Sequence, residues 1–408
     1  MRIQTRSKKL MVLGAGVFQI PGIRKAVELG YYVISVDDRP ESVGHKYSHQ
    51  FLNCSTADRE ELARQARALA VDGICTFSSD IAVPSVGYVC DRLDLPGVSF
   101  NAAQIMCMKH RFREAQRLAG MAHPQFVAAQ SLEGLLGVDR VLRCPIVIKP
   151  VDSSGSRGLR TLAGASVDAV AAAFAVAKSF STAGMVCVEE FVSGRECSGD
   201  GILIDGELSF ARITDKYLNA FAVTGHSVPS TLSDHDQQRV RSAVEDCCKA
   251  VGYDRGPLDF DVKVAPDRVV VLEMSPRTGG NGIPAVITRA TGVDVEEATI
   301  RLALGEAWRP PETGGAGQHR RRAGSLIFGS QSGGTLTKAG SFAQVRQSVP
   351  ELIELNFAVP IGSPVRPFEH NGNLIGYAVF DCEPPATYAD VAQRIADALD
   401  IQVDAGPV

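Results

Sequence analysis

Between Val147 and Gly158 the chain reads VIKPVDSSGSRG, and no other stretch constrains the fold as strongly. An apolar run carries Lys149 to the end of a strand, and Pro150 stops the strand. From Ser153 to Gly158 every residue except Arg157 is Gly or Ser. A loop so small and flexible lets several backbone N–H groups turn towards one anion. Lys149 adds a charge at the strand end and Arg157 a second within the loop. It differs from a Walker loop, because the lysine precedes the glycines and does not open a helix. Taken alone, the same residues also suit a plain surface turn.

The chain has 408 residues, too many for one ordinary core, which points to about two to four domains. Hydrophobic content of 45% and charged content of 22% are those of a globular protein. A net charge of −4 gives no footprint for nucleic acid, and no basic helix suggests a membrane surface. The longest apolar run, Ala169–Ala177, is too short to span a bilayer. Basic residues precede an apolar stretch at the N-terminus, as in a signal peptide. That stretch is short and runs into Gly14, Gly16 and Pro21, so it reads as a first strand and the expected location is cytoplasmic. Ten scattered cysteines without a CxxC pair read as buried free thiols.

The first hundred residues alternate strand and helix, the rhythm of a parallel doubly wound sheet. Strands are expected at Leu10–Leu13, Tyr32–Val36 and Gly73–Phe77, with helices at Ile20–Leu29 and Thr56–Ala70. The first turn, Gly14-Ala15-Gly16-Val17-Phe18-Gln19, is close to a dinucleotide fingerprint, and Asp37 and Asp38 follow where a ribose-binding acid would stand. Gln19 replaces the third glycine, so an NAD enzyme is a weak alternative. Ala102–Ala119 reads as one basic amphipathic helix. Hairpins are expected over 196–215 and over Asp259–Glu273, and a long helix at Asp234–Val251. Arg309–Gly317 reads as a linker, followed by a small α+β unit ending in a helix at Ala386–Leu399.

Asp261 and Glu273 lie twelve residues apart on the second hairpin, among apolar neighbours. Antiparallel strands can bring such side chains together, and carboxylates placed side by side call for a cation. Hard oxygen ligands suit Mg²⁺ held jointly with nucleotide phosphates. Asp259 shares the parity of Asp261 and is a further candidate. The segment Val188–Ser198, VEEFVSGRECS, leaves one strand and enters another. Such a connection can offer backbone groups to an adenine edge, and Glu196 could accept ribose hydroxyls.

In order along the chain stand Lys109, then Lys149 with Ser153–Gly158, then Glu189–Glu196, then Asp261 and Glu273, then Pro276-Arg277. This set resembles the ATP-grasp superfamily over about residues 100–305. The resemblance implies an α/β and α+β multidomain fold. Residues 1–105 would form a Rossmann-like pre-ATP-grasp domain, 106–308 a two-lobed ATP-grasp domain with a mobile lid about 123–190, and 319–408 a C-terminal closing domain. ATP would be held by Lys109, Lys149, Ser153, Ser154, Gly155, Ser156, Arg157, Gly158, Glu189, Glu190, Phe191, Val192 and Glu196. Asp261 and Glu273 would bind one or two Mg²⁺ ions, with Mn²⁺ as a substitute. Ser275 stands where the family usually has a ligating asparagine, which puts a second metal in doubt.

The resemblance further implies a carboxylate–amine ligase, amino-acid-ligase-like, that forms an amide bond through an acyl phosphate. Arg277, Lys216 and His226 would be its catalytic residues, Arg277 clamping the phosphoryl group and the carboxylate. Partners would be small carboxylates and amines, with no nucleic acid and no membrane, and a homodimer is common for the architecture. A carboxylase or carbamoyl-phosphate-type enzyme using bicarbonate is the alternative within the superfamily.

Overall fold

The computed structural model describes residues 7–135, 138, 142–311 and 321–404. Residues 312–317 of the expected linker lie outside the described residues, as do residues 319 and 320 at the start of the expected closing domain. No helix among the described residues is long and apolar enough to cross a membrane.

The N-terminal region is a four-stranded parallel sheet in the order Gln50–Asn53, Tyr32–Asp37, Lys9–Leu13, Gly73–Thr76. Its inner strands are near-continuous apolar runs because helices cover both faces. The edge strand Gln50–Asn53 has no such run and only half-buried or exposed side chains, so it carries no comparable sequence signal. In the first turn the Gln19 carboxamide accepts from Gly16 N–H at 2.9 Å and donates to Phe77 O. Asp37 turns back to accept from Ala15 N–H at 2.9 Å. The place of a pyrophosphate is thus filled by a side chain, and the acid is used within the turn.

The single helix expected over Ala102–Ala119 is two helices, Phe100–Cys107 and Lys109–Leu118. Met108 breaks them with an extended conformation, φ −113° and ψ 101°. The break lets Lys109 N–H donate to Val151 O at 2.8 Å, tying the second helix to the end of the lysine strand. Next comes an antiparallel sheet in the order Phe126–Ala129, Val186–Glu190, Ile146–Pro150, Arg160–Leu162, with the helix Val167–Ser179 packed on it.

The largest sheet has eight strands. Its first five, in spatial order, are Val269–Ser275, Gly256–Val264, Arg195–Ile204, Glu207–Asn219 and Ala222–Val228. Ala323–Phe328, Gly376–Asp381 and Leu352–Phe357 continue it. The C-terminal segment is therefore joined to the central one by backbone hydrogen bonds along Ala222–Val228, where a separate closing unit was expected. The helix Tyr388–Leu399 packs beneath, its Tyr388 ring stacked 3.8 Å from Tyr217.

The N-terminal sheet is stitched to the same body. Phe77 bridges Thr278, and one apolar cluster runs from Leu13 and Ile34 through Phe112 to Phe260 and Met274. This seam brings the end of the Gly73–Thr76 strand onto the segment that follows the acid hairpin. All ten cysteines are free, and seven of them are buried, so they act as packing groups.

Candidate functional site

Lys149 lies at the end of its strand, nearly buried, with Nζ 2.7 Å from Glu189 Oε2. Arg113, fully buried on the Lys109–Leu118 helix, reaches the other oxygen at 3.0 Å. Burial alone would raise the Glu189 carboxyl. Arg113 first and Lys149 second outweigh it and hold the group down at about 2. Both carboxylate oxygens are thus engaged by cations, so Glu189 braces Lys149 from the wall of the smaller cavity. Arg113 was not anticipated. It stands four residues after Lys109, on the same face of the helix, which was its one sequence signal.

The loop beyond Lys149 takes left-handed backbone at Gly155, Ser156 and Gly158, with φ of 64°, 61° and 73°. Two of the three are glycines, the residue for which this conformation is unstrained. Arg157 donates to Ser154 O at 3.0 Å, and Lys109 Nζ donates to Ser153 O at 2.7 Å. Lys109 also pairs with Glu273 at 3.2 Å.

On the hairpin, Asp261 stands directly opposite Glu273 in register. Asp261 accepts from the Ser198 hydroxyl and from Lys216 at 2.9 Å. Lys216 also reaches Glu196 at 2.9 Å, and Lys263 reaches the second Glu196 oxygen at 3.0 Å. Burial works to raise Glu196, but Lys216 and then Lys263 hold it down at about 2. Burial works against the Lys216 ammonium, and Asp261 and Glu196 more than offset that, raising it above the usual lysine value. Each of the facing carboxylates is therefore neutralised by a lysine from another element. Ser275 is buried opposite Asp259 and forms no part of either cavity wall described below, contrary to its expected metal role.

Arg277 was expected to be free to clamp substrate. Its Nε and one Nη instead hold both oxygens of Asp80 at 2.9 Å, and the other Nη meets Asp259 at 2.6 Å. Asp259 is thereby the ion-pair partner of Arg277 at the border of the larger cavity. Asp80 arrives from the N-terminal region across the Phe77–Thr278 seam and was missed, since nothing local marks it beyond its place at a strand end. Asp200 lies behind, buried, accepting from Gly279 N–H at 2.8 Å; burial and then Asp259 push its carboxyl well up.

His226 is 1% exposed and pairs across the sheet with Lys216. Its Nδ1 lies 3.0 Å from Thr214 Oγ1. Burial, and then the Lys216 charge, push the ring down to about 3, so it is neutral at ordinary pH.

These side chains line two adjoining cavities. A smaller one of about 150 Å³ is lined by the polar residues Lys109, Lys149, Glu196 and Lys263 and by the apolar residues Val147, Leu159, Phe191, Val192 and Leu272. The larger, of about 270 Å³, holds Phe18, Asp80, His226, Arg277, Asn281 and Asn371. Its walls come from the N-terminal, central and C-terminal parts of the chain. Ser154, Ser156, Arg157, Lys216, Asp261 and Glu273 border both. Ser153, Glu189 and Glu190 face the smaller cavity and Gly155 the larger. Gly158 borders neither; a Cβ there would come within 2.9 Å of the Phe180 ring. The apolar slot residues Leu159 and Leu272 were not anticipated, because nothing in an isolated strand tells a cavity wall from core.

Residues 142–285 match the family model of the ATP-grasp domain. The chain is 25% identical over 263 residues to an alanine–anticapsin ligase of Bacillus amyloliquefaciens, a match covering 59% of this chain and 56% of that protein. It thus spans little more than half the length of that curated relative. Among solved structures, an L-amino acid ligase from Bacillus licheniformis aligns over 98% of this chain and 100% of its own, with TM-score 0.79 and 21% identity. The biotin carboxylase domain of a 2-oxoglutarate carboxylase from Hydrogenobacter thermophilus, solved with MgADP and bicarbonate, aligns over 97% and 90%, with TM-score 0.71 and 17% identity. Likeness at these identities establishes a shared fold.

Proposed function

With an ATP-grasp domain over residues 142–285, this chain is, we propose, an ATP-dependent carboxylate–amine ligase for small amino-acid-like substrates, releasing ADP and phosphate. The observation that carries the proposal is the pair of cavities that meet at Asp261, Glu273 and the Ser153–Gly158 loop. The smaller one suits a nucleotide, its apolar residues taking the base and its lysines the phosphates. The larger suits the carboxylate and the amine, so the terminal phosphate would sit where the two join.

Lys109 and Lys149 would bind phosphate oxygens, with Glu189 and Arg113 fixing the direction of Lys149. The Gly/Ser loop would fold over the outer phosphates and exclude water, which protects an acyl phosphate from hydrolysis. The facing carboxylates fit Mg²⁺, since two hard anionic donors stand opposite each other on the hairpin. When bound, Mg²⁺ supplies charge neutralisation for the phosphates. No group of three or more His, Cys, Asp or Glu among the described residues forms a cage, so phosphate oxygens would complete the coordination. Arg277 borders the larger cavity in an orientation fixed by Asp80 and Asp259.

In the first step a carboxylate oxygen bonds to the terminal phosphorus and ADP leaves with the electron pair of the broken P–O bond. In the second, the amine nitrogen bonds to the acyl carbon and phosphate leaves. The protein's contribution to both is positioning and a prearranged field.

The fold is shared with a structure solved with bicarbonate, which supports a second reading in which bicarbonate is the phosphoryl acceptor. A screen of ATP-dependent phosphate release over amino acids singly and in pairs, with bicarbonate as a separate condition, tests both. Release with amino acids and a product mass equal to the pair minus water supports the ligase. Release only with bicarbonate overturns it in favour of the second reading.

A further inference from the structure

We infer that His226 receives the amine nucleophile, its Nε2 accepting an N–H of that nitrogen at the wall of the larger cavity. The inference rests on the ligase proposal and adds to it which residue recognises which reactant, and through which atom.

The ring sits in the middle of the eight-stranded sheet, 1% exposed, between Lys216 on one neighbouring strand and Ser325 on the other. The Thr214 hydroxyl has one proton and two neighbours, Ser198 O at 3.3 Å and His226 Nδ1 at 3.0 Å. Ser198 O can only accept, so the proton is assigned to that contact. The hydroxyl oxygen therefore accepts from His226, placing the ring proton on Nδ1. In a neutral imidazole Nε2 is then a bare acceptor. That atom is buried, has no partner among the described residues, and belongs to a ring that borders the larger cavity.

A buried acceptor selects its ligand by chemistry. The terminal phosphate of ATP, a carboxylate and an acyl phosphate present oxygen acceptors at their reacting ends, and these repel an imidazole lone pair. Among the reacting groups only the amine brings a donor. An ammonium has no lone pair with which to attack, so the form that Nε2 orients is the neutral amine. A hydrogen bond from one N–H to Nε2 leaves the nitrogen lone pair free to face the acyl carbon. When the C–N bond forms, phosphate leaves with the C–O electron pair and takes up the proton that nitrogen sheds, which balances the step. His226 orients the nitrogen and need not itself be protonated.

Hydroxylamine gives the test, because at high concentration it traps an acyl phosphate without a shaped amine site. For wild type and for His226→Ala, His226→Gln and His226→Asn, amide formation and hydroxamate formation would be measured from the same carboxylate and ATP. In His226→Ala the ratio of amide to hydroxamate is expected to fall about tenfold or more, with KM for the amine rising more than KM for ATP or the carboxylate. Gln carries an amide group out to the Nε2 position and Asn does not, so His226→Gln should recover much of the ratio and His226→Asn little. An unchanged ratio, or equal loss of both products in His226→Ala and His226→Gln, overturns the inference. Absence of both hydroxamate and amide in wild type across all carboxylates overturns the ligase proposal itself.

Discussion

Two turns that place glycines after a strand differ in what lies over those glycines: in the earlier one a side chain covers them, and in the later one they border a cavity. In the first, Gly14 and Gly16 lie under Gln19, so close that a Cβ on either would come within 3.1–3.2 Å of that side chain. Gln19 spans the turn to Phe77, and Asp37 caps Ala15. In the second, a Cβ on Gly155 would meet only Asn371, at 3.7 Å, and the loop borders both cavities. The glycines alone do not separate the two. What separates them is the residue standing over the turn and the charge beneath it: Gln19 closes one, and Lys149 on its Glu189–Arg113 brace stands at the base of the other.

The comparison can be broken at several points. Glu273→Gln should abolish turnover while leaving the fold intact by circular dichroism, since the open turn needs the acid pair beneath it to hold a charged phosphate. Activity near wild type in this variant would contradict the metal assignment. Lys149→Met should lower ATP-dependent phosphate release by about 10²–10³-fold, the range for losing one preorganised electrostatic contact. Retention of a large share of the activity would remove the distinction between the turns.

The brace itself predicts a pH dependence. Glu189 titrates near 2 when folded, below its ordinary 4.5, so the stability it contributes is present above about 4.5 and is lost as pH falls towards 2. Wild type and Glu189→Gln should therefore differ most in unfolding free energy from urea titration at neutral pH, by about 3–5 kcal/mol, the cost of leaving buried cations without their partner. The gap should narrow steadily below pH 4.5. The smallest effect belongs to the closed turn. Gln19→Gly should cost about 1–3 kcal/mol of stability through its lost hydrogen bonds. It should change phosphate release little and give no quenching of NADH fluorescence on titration.

The parts of the site that could be read from sequence are those fixed by local periodicity. Strand parity places Asp261 against Glu273, and the apolar run before Lys149 sets that lysine near the end of its strand. The Asp205-Gly206 hairpin lies where turn chemistry put it. The missing parts depend on pairings across the chain. Arg113 meets Glu189 76 positions away, and Arg277 meets Asp80 197 positions away. Neither charge has a local partner to announce it, so the brace on Glu189 went unread and Arg277 read as free. The same reason hid the continuation of the large sheet by Ala323–Phe328. Strand pairing between distant segments leaves no periodic trace in either.

The central claim is that a phosphoryl group passes from the smaller cavity to a carboxylate in the larger. Its most direct test is isotope transfer. Once the screen has identified a carboxylate substrate, both carboxyl oxygens would be labelled with oxygen-18 and the released phosphate weighed. The account predicts that each phosphate carries one labelled oxygen, taken from the substrate when the acyl phosphate breaks down. Unlabelled phosphate, or release of AMP and pyrophosphate in place of ADP and phosphate, would contradict it.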